Sequence, residues 1–248
     1  LQVLDTLQSP TRRRVTLSLN QATIPNPSII DLNIMLKQII DESDFDGIVE
    51  LYLQDLETTR NLHFAYQKDG EELPPNIAFS SWSTVKIPVM VTAFRNMEAP
   101  WNEDHLALME EMIEQSENSS TDELAMAVID ANLSPLIVSE DLQRLGLQNT
   151  FWAGHFYFGA PQLQTFQTPA NQREDINTDP DTYNQTTPAE MGMLLEDIYQ
   201  CSERGGGALI AAFPNEITSE ECRLMLTYLV RNQIAVLIQA GVPAGTTV

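Results

Sequence analysis

The sequence predicts an α/β fold of the α+β kind, in which an antiparallel sheet lobe is interrupted by an inserted helical lobe. Three observations carry this. A β-hairpin is signalled early, at about residues 47–55 and 60–67, linked by Leu56-Glu57-Thr58-Thr59. A run of amphipathic helices follows it rather than more strands. The chain has 248 residues and a hydrophobic fraction of 43%, enough for one large domain or two intimate lobes.

Residues 1–27 read as an N-terminal extension, with a basic Arg12-Arg13-Arg14 triplet and a Pro25-Asn26-Pro27 break. The main domain is assigned to residues 28–248. Ser28 is placed to cap a helix running to about Glu42, with Ile29, Leu32, Leu36, Ile39 and Ile40 on one stripe. Lys68-Asp69-Gly70 ends the hairpin, and Pro74-Pro75 begins a loop toward Ser83. There a polar run, Ser80 to Ser83, gives way to Val85, Ile87, Val89, Met90, Val91, Ala93 and Phe94, which predicts a buried helix to about Asn96. A helix at about 102–115 comes next. A third begins near Ser120, where Ser120-x-x-Glu123 fits a capping box, and a shorter one starts at about Glu140.

Residues 151–187 read as a long loop rich in aromatics, Asn, Asp, Thr and Pro; loops of this length are usually functional or disordered. Pro188 suits the first position of a helix reaching about Tyr199. Gly205-Gly206-Gly207 is a turn and not a phosphate loop, since no Lys-Ser/Thr follows it. A last helix covers about 218–231.

Composition narrows the function. Thirty-five acids against 13 bases give a net charge of −22, which repels phosphate backbones and argues against a nucleic-acid partner. No apolar run of about 18 residues is present, so no membrane span is expected. The first residue is Leu1 and no signal-peptide pattern precedes it, which reads as a mature or trimmed form. Cys201 and Cys222 fit no zinc or redox spacing; two buried thiols and a disulfide in an oxidising compartment both stay open.

The chemistry points to Ser83-Thr84-Val85-Lys86. Only three lysines occur, and one stands three residues after a serine at a helix start. That spacing puts Lys86 on the face of Ser83, whose hydroxyl sits where first-turn N–H groups favour developing negative charge. Serine needs a base to become a nucleophile. His63, His105 and His155 stand in no triad-like context and read as structural. Lys86, desolvated one turn inside an apolar helix, can serve instead. Ser116-Glu117-Asn118 falls between two helices, where a serine could pass a proton to a leaving nitrogen and an asparagine could hold a substrate amide.

With these motifs the sequence resembles the serine β-lactamase and penicillin-binding protein family, most closely class A. Ser83–Lys86 matches the family's Ser-x-x-Lys, and Ser116–Asn118 is a variant of its Ser-Asp-Asn. Thr186-Thr187-Pro188-Ala189-Glu190-Met191 resembles the start of the helix after the omega loop. The resemblance covers about residues 28–248. It implies the β-lactamase/transpeptidase-like fold, a helical lobe beside an antiparallel sheet flanked by helices, with the site between them. It implies acyl transfer on a β-lactam or a cell-wall peptide, with Ser83 as nucleophile, Lys86 as base, Ser116 as proton relay and Asn118 orienting substrate. It implies no metal or organic cofactor, and an extracytoplasmic bacterial setting. A slow-turnover penicillin-binding or D,D-peptidase-like protein, and a non-catalytic ligand-binding or sensor member, are the alternatives.

The pattern also departs from the family's. Glu117 replaces the middle Asp, and the stretch from Lys86 to Ser116 is shorter than in class A. The family's omega loop carries Glu-x-x-Leu-Asn, whose glutamate holds the hydrolytic water. Here Arg173-Glu174-Asp175-Ile176-Asn177 offers Glu174 only with a small deletion. No Lys-Thr-Gly is present. The closing Pro243-Ala244-Gly245-Thr246 resembles the segment before that strand, so the domain is expected to lack its C-terminal strands and helix.

Overall fold

The computed structural model describes residues 28–43, 45–58, 60–68 and 70–233. The 1–27 extension and the Pro243–Thr246 segment lie outside the described residues.

Helix α1, Ile29–Glu42, starts in a capping box: the Ser28 hydroxyl accepts the Asp31 N–H and the Asp31 carboxylate accepts the Ser28 N–H. Its Ile29, Leu32, Leu36 and Ile40 pack on Leu62, Phe64 and Tyr66 of the sheet. Ile39, expected on this stripe, is 55% exposed, because one residue's rotation carries it off the contact line. Strands β1, Ile48–Gln54, and β2, Asn61–Gln67, form the expected antiparallel hairpin, with Leu51 opposite Phe64.

The sheet does not end at Lys68-Asp69-Gly70. The chain turns back through Gly70, at φ +95°, into β3, Glu71–Leu73, which pairs antiparallel with β2. Three residues with two acids carry no readable period, so this strand is set by the turn and by its neighbour.

The helical lobe begins with β4, Phe79–Ser80, a 3₁₀ turn over Trp82–Val85, and α2, Lys86–Asn96. Apolar on nearly every face, α2 runs through the middle of the larger core, among Met109, Met112, Leu124, Val138, Leu142 and Ile198. Around it stand α3, Glu103–Glu114, and α4, Asn118–Leu124, which passes into a π-helical turn over Ala125–Ile129. Helix α5, Ser134–Arg144, completes the block.

Two boundaries differ from expectation. Ser120 does not cap α4: Glu117 holds that place, and the Ser120 hydroxyl donates 2.5 Å to Glu111 of α3. Helix α5 begins at Ser134 rather than near Glu140, because Pro135 fits the first turn without needing an N–H partner.

The 151–187 segment is framed by two short strands, β5, Phe151–Trp152, and β6, Asn184–Thr186. With β4 they form a second small antiparallel sheet in the order β4-β6-β5. The Ser81 hydroxyl donates 2.8 Å to Asn184 Oδ1, which ties this sheet to the turn carrying Ser83.

Helix α6, Pro188–Arg204, outlasts its expected end at Tyr199 and stops where Gly205 takes a left-handed cap. It lies against β1 so closely that a Cβ at Gly192 would meet Tyr52 at 2.3 Å. A short α7, Ala208–Ala212, leads to α8, Ser219–Val230, and a Cys201–Cys222 disulfide joins α6 to α8. Of the two states left open for the cysteines, the bridged one is adopted. Among the described residues no helix is long and apolar enough to cross a membrane. The architecture is a helical lobe beside a small antiparallel sheet flanked by helices.

One latch links sheet to site. The Glu50 carboxylate, fully buried on β1, contacts His63 Nε2 at 2.7 Å and accepts the N–H groups of Asn76 and Ile77 at 2.9 and 2.8 Å. Arg173 Nη1 donates to the carbonyls of Pro74, Pro75 and Asn76 of the same segment.

Candidate active site

The 3₁₀ turn leaves Ser83 exposed, while Lys86, the first residue of α2, is 2% exposed. Its amine therefore lies beneath the serine. Lys86 Nζ is 3.1 Å from Ser83 Oγ, 3.1 Å from Ser116 Oγ, 2.6 Å from Ser116 O and 2.7 Å from Asn118 Oδ1. The loop between α3 and α4 makes this possible. Ser116 adopts φ +62°, a left-handed conformation that costs a non-glycine residue about 1–2 kcal/mol. That fold of the backbone turns both the carbonyl and the hydroxyl of Ser116 toward the amine. Asn118, at the start of α4, adds its side-chain oxygen.

The proton inventory follows from these contacts. Ser116 O and Asn118 Oδ1 can only accept, so they take two of the amine's protons. The remaining position faces the two hydroxyls. As an ammonium Lys86 donates there; as a neutral amine its lone pair accepts from Ser83 or Ser116. Burial pulls the Lys86 amine down to about 8, against the upward pull of the Glu117 and Asp122 carboxylates. A cavity of about 180 Å³ opens beside the cluster, walled by Ile87, Met112, Ile113 and Leu229.

On another side of the amine stands an aromatic ring. Lys86 Nζ is 5.1 Å from the centre of Phe156. The Phe156 turn is held by Asp122 of α4, whose buried carboxylate accepts the N–H of Phe156 at 2.9 and 3.0 Å and that of Tyr157 at 2.8 Å. Burial raises the Asp122 carboxyl and lowers the neighbouring His155, whose Nε2 meets Ser134 Oγ at 2.9 Å. His63 is engaged by Glu50 in the sheet.

Four of the five residues singled out in the sequence, Ser83, Lys86, Ser116 and Asn118, thus come together. Glu174 makes no hydrogen bond to any of them among the described residues. It is exposed and, among the described residues, makes no hydrogen bond or ion pair, while its neighbours Arg173 and Asp175 pair with each other at 2.5 Å. Asp122 and Phe156 escaped the sequence reading. Asp122 had a signal, lying four residues after Asn118 on the same helical face. Phe156 had none, since nothing local ties a loop aromatic to a lysine 70 positions earlier.

Comparison with known proteins agrees with this geometry at the level of fold. No curated protein matches the chain. Among solved structures, a β-lactamase from Desulfarculus baarsii superposes with a TM-score of 0.56 at 17% identity, covering 86% of this chain and 74% of its own. One from Xanthomonas campestris gives 0.55 at 13% identity, covering 88% and 76%. An ancestral class A β-lactamase gives 0.53 at 16% identity, again covering 88% and 76%. The sequence model of the β-lactamase enzyme family matches residues 104–248, a span that holds Ser116 and Asn118. That span exceeds half of the chain, and the chain belongs to the β-lactamase enzyme family.

Proposed function

We propose that this chain is a serine acyl-transfer hydrolase of the class A β-lactamase type, opening β-lactam rings through an acyl-enzyme on Ser83. The observation that carries the reading is the buried Lys86 amine, in contact with the hydroxyls of both Ser83 and Ser116. Neutral Lys86 takes the Ser83 proton as Oγ attacks the lactam carbonyl. Ser116 hands a proton to the departing ring nitrogen and recovers it from Lys86. Asn118 orients the substrate amide, and the Ser83 N–H is one oxyanion donor. Membership of a β-lactamase family and the fold of solved β-lactamases support the substrate class. The disulfide supports an extracytoplasmic setting, where such bonds persist.

One observation favours the slower reading, a penicillin-binding or D,D-peptidase-like protein. Glu174, the residue assigned to water activation, stands exposed and, among the described residues, makes no hydrogen bond to Ser83, Lys86, Ser116 or Asn118. Intact mass after incubation with benzylpenicillin tests both readings. A stable adduct absent from S83A supports acylation with slow release. Substrate loss without an adduct supports hydrolysis. Neither adduct nor loss overturns the proposal.

A further inference from the structure

The surroundings of Lys86 bear on the fate of the acyl group, an inference that rests on the slower, penicillin-binding reading of acylation at Ser83. Once Ser83 is acylated, release by water needs a base beside the ester. Among the described residues no carboxylate hydrogen-bonds Ser83, Lys86 or Ser116, and the one amine present is enclosed. Two acceptors occupy its protons, the Ser116 hydroxyl and the ester oxygen of Ser83 face its remaining position, and the Phe156 ring lies 5.1 Å from Nζ. Lys86 is 2% exposed, and the cavity of about 180 Å³ beside Ser83 and Ser116 reaches it from a side that Phe156 does not line.

The ring does not hold this place by packing alone. Asp122 accepts the backbone N–H groups of Phe156 and Tyr157 with both oxygens, and it forms no ion pair among the described residues. A buried carboxylate costs free energy unless its hydrogen bonds are met, and here the 156–157 backbone meets them. Of the two rings that follow, Tyr157 stacks on His155 and Phe158 is fully exposed, so only Phe156 turns toward Lys86.

We propose that Phe156 is a water-excluding residue of the acyl-enzyme, and that Asp122 is the positioning residue that clamps it over Lys86, so that the acyl group on Ser83 persists. The step held back is hydrolysis. Water would add through oxygen to the ester carbonyl carbon and give a proton to neutral Lys86. The bond from that carbon to Ser83 Oγ would then break, and Lys86 would return the proton to Oγ. A free acid and an intact serine result. Removing the ring gives water a place on the amine and restores this route. The groups facing Lys86 are Glu117 and Asp122, with His155 beside Asp122.

The test follows adduct formation and adduct decay separately by intact mass on the 248-residue chain with benzylpenicillin, with thermal melting as a control for folding. Decay is expected to quicken at least tenfold in F156A and about threefold in F156L, which keeps more apolar bulk. It quickens in D122N as well, and stays unchanged in F158A. In F156A decay rises with pH and levels off once Lys86 has lost its proton, which mere loosening of the turn would not produce. Decay in F156A and F156L equal to that of the parent, F158A as fast as F156A, or loss of benzylpenicillin without a detectable adduct in the parent chain overturns the inference and leaves acylation standing. No adduct and no loss of benzylpenicillin in the parent chain overturns both.

Discussion

The pH dependence of acylation tests the base directly. With the Lys86 amine at about 8, roughly one molecule in ten carries it neutral at pH 7. An ordinary lysine would be neutral in about one molecule in 3,000, so burial supplies roughly 300-fold more active base at that pH. The sign is fixed by chemistry: only the neutral amine can accept the Ser83 proton. Acylation should rise about tenfold per pH unit up to pH 7, bend near pH 8 and be flat above pH 9. The decisive perturbation is K86R, since a guanidinium stays charged throughout this range. It removes the base while keeping a cation under Ser83. Loss of a general base costs about 10²–10⁴-fold, and the residual rate should lose its bend near pH 8. The assay is the single-turnover rate of labelling by a fluorescent penicillin between pH 5.5 and 9.5, with melting temperature measured alongside. A profile flat across the range in the parent chain, or K86R labelling at the parent rate, would refute Lys86 as the base.

Three further outcomes follow from the same geometry. S116G removes the hydroxyl proposed as the relay and relieves the left-handed strain at that residue; acylation should fall at least tenfold while stability holds or rises by up to about 1 kcal/mol, read from urea unfolding. Replacing both Cys201 and Cys222 by serine frees a loop closed at a separation of 21 residues and should cost about 3 kcal/mol in the same measurement, with the pH profile of acylation unchanged. Burial, aided by Glu196, raises the Asp197 carboxyl to about 6, so its ionised form is disfavoured in the folded chain; D197N should stabilise above pH 6, and the gain should shrink as pH falls through 6 and vanish below about pH 4.

The legible parts of the fold are those whose cause is local. Ser28 and Asp31 write the start of α1 within four residues, and the alternation of β1 and β2 survives because α1 packs on one face of that hairpin. Likewise Ser83, Lys86, Ser116 and Asn118 were found because each pair stands one helical turn or one loop apart. Where the cause is distant, the sequence misleads. Ser120 and Glu123 have the spacing of a capping box, yet the Ser120 hydroxyl turns to Glu111, a partner supplied by helix packing. Strands β5 and β6 exist because β4 lies beside β6, across more than 100 residues of chain. Phe156 reaches Lys86 because a carboxylate on α4 captures its backbone, a contact that no periodicity encodes.

The Glu50 latch has a mechanical consequence. The strand that carries Glu50 and the loop that carries Arg173 grip the same few residues, Pro74 to Ile77, one through backbone N–H groups and the other through carbonyls. Those residues feed straight into β4 and the turn bearing Ser83. The segment leading to Ser83 is therefore held by two anchors at once. A change in either anchor would shift the turn that presents Ser83. Substitutions that enlarge this site must then come from side chains that line it, such as Met112 or Leu229, rather than from slackening the frame that suspends it.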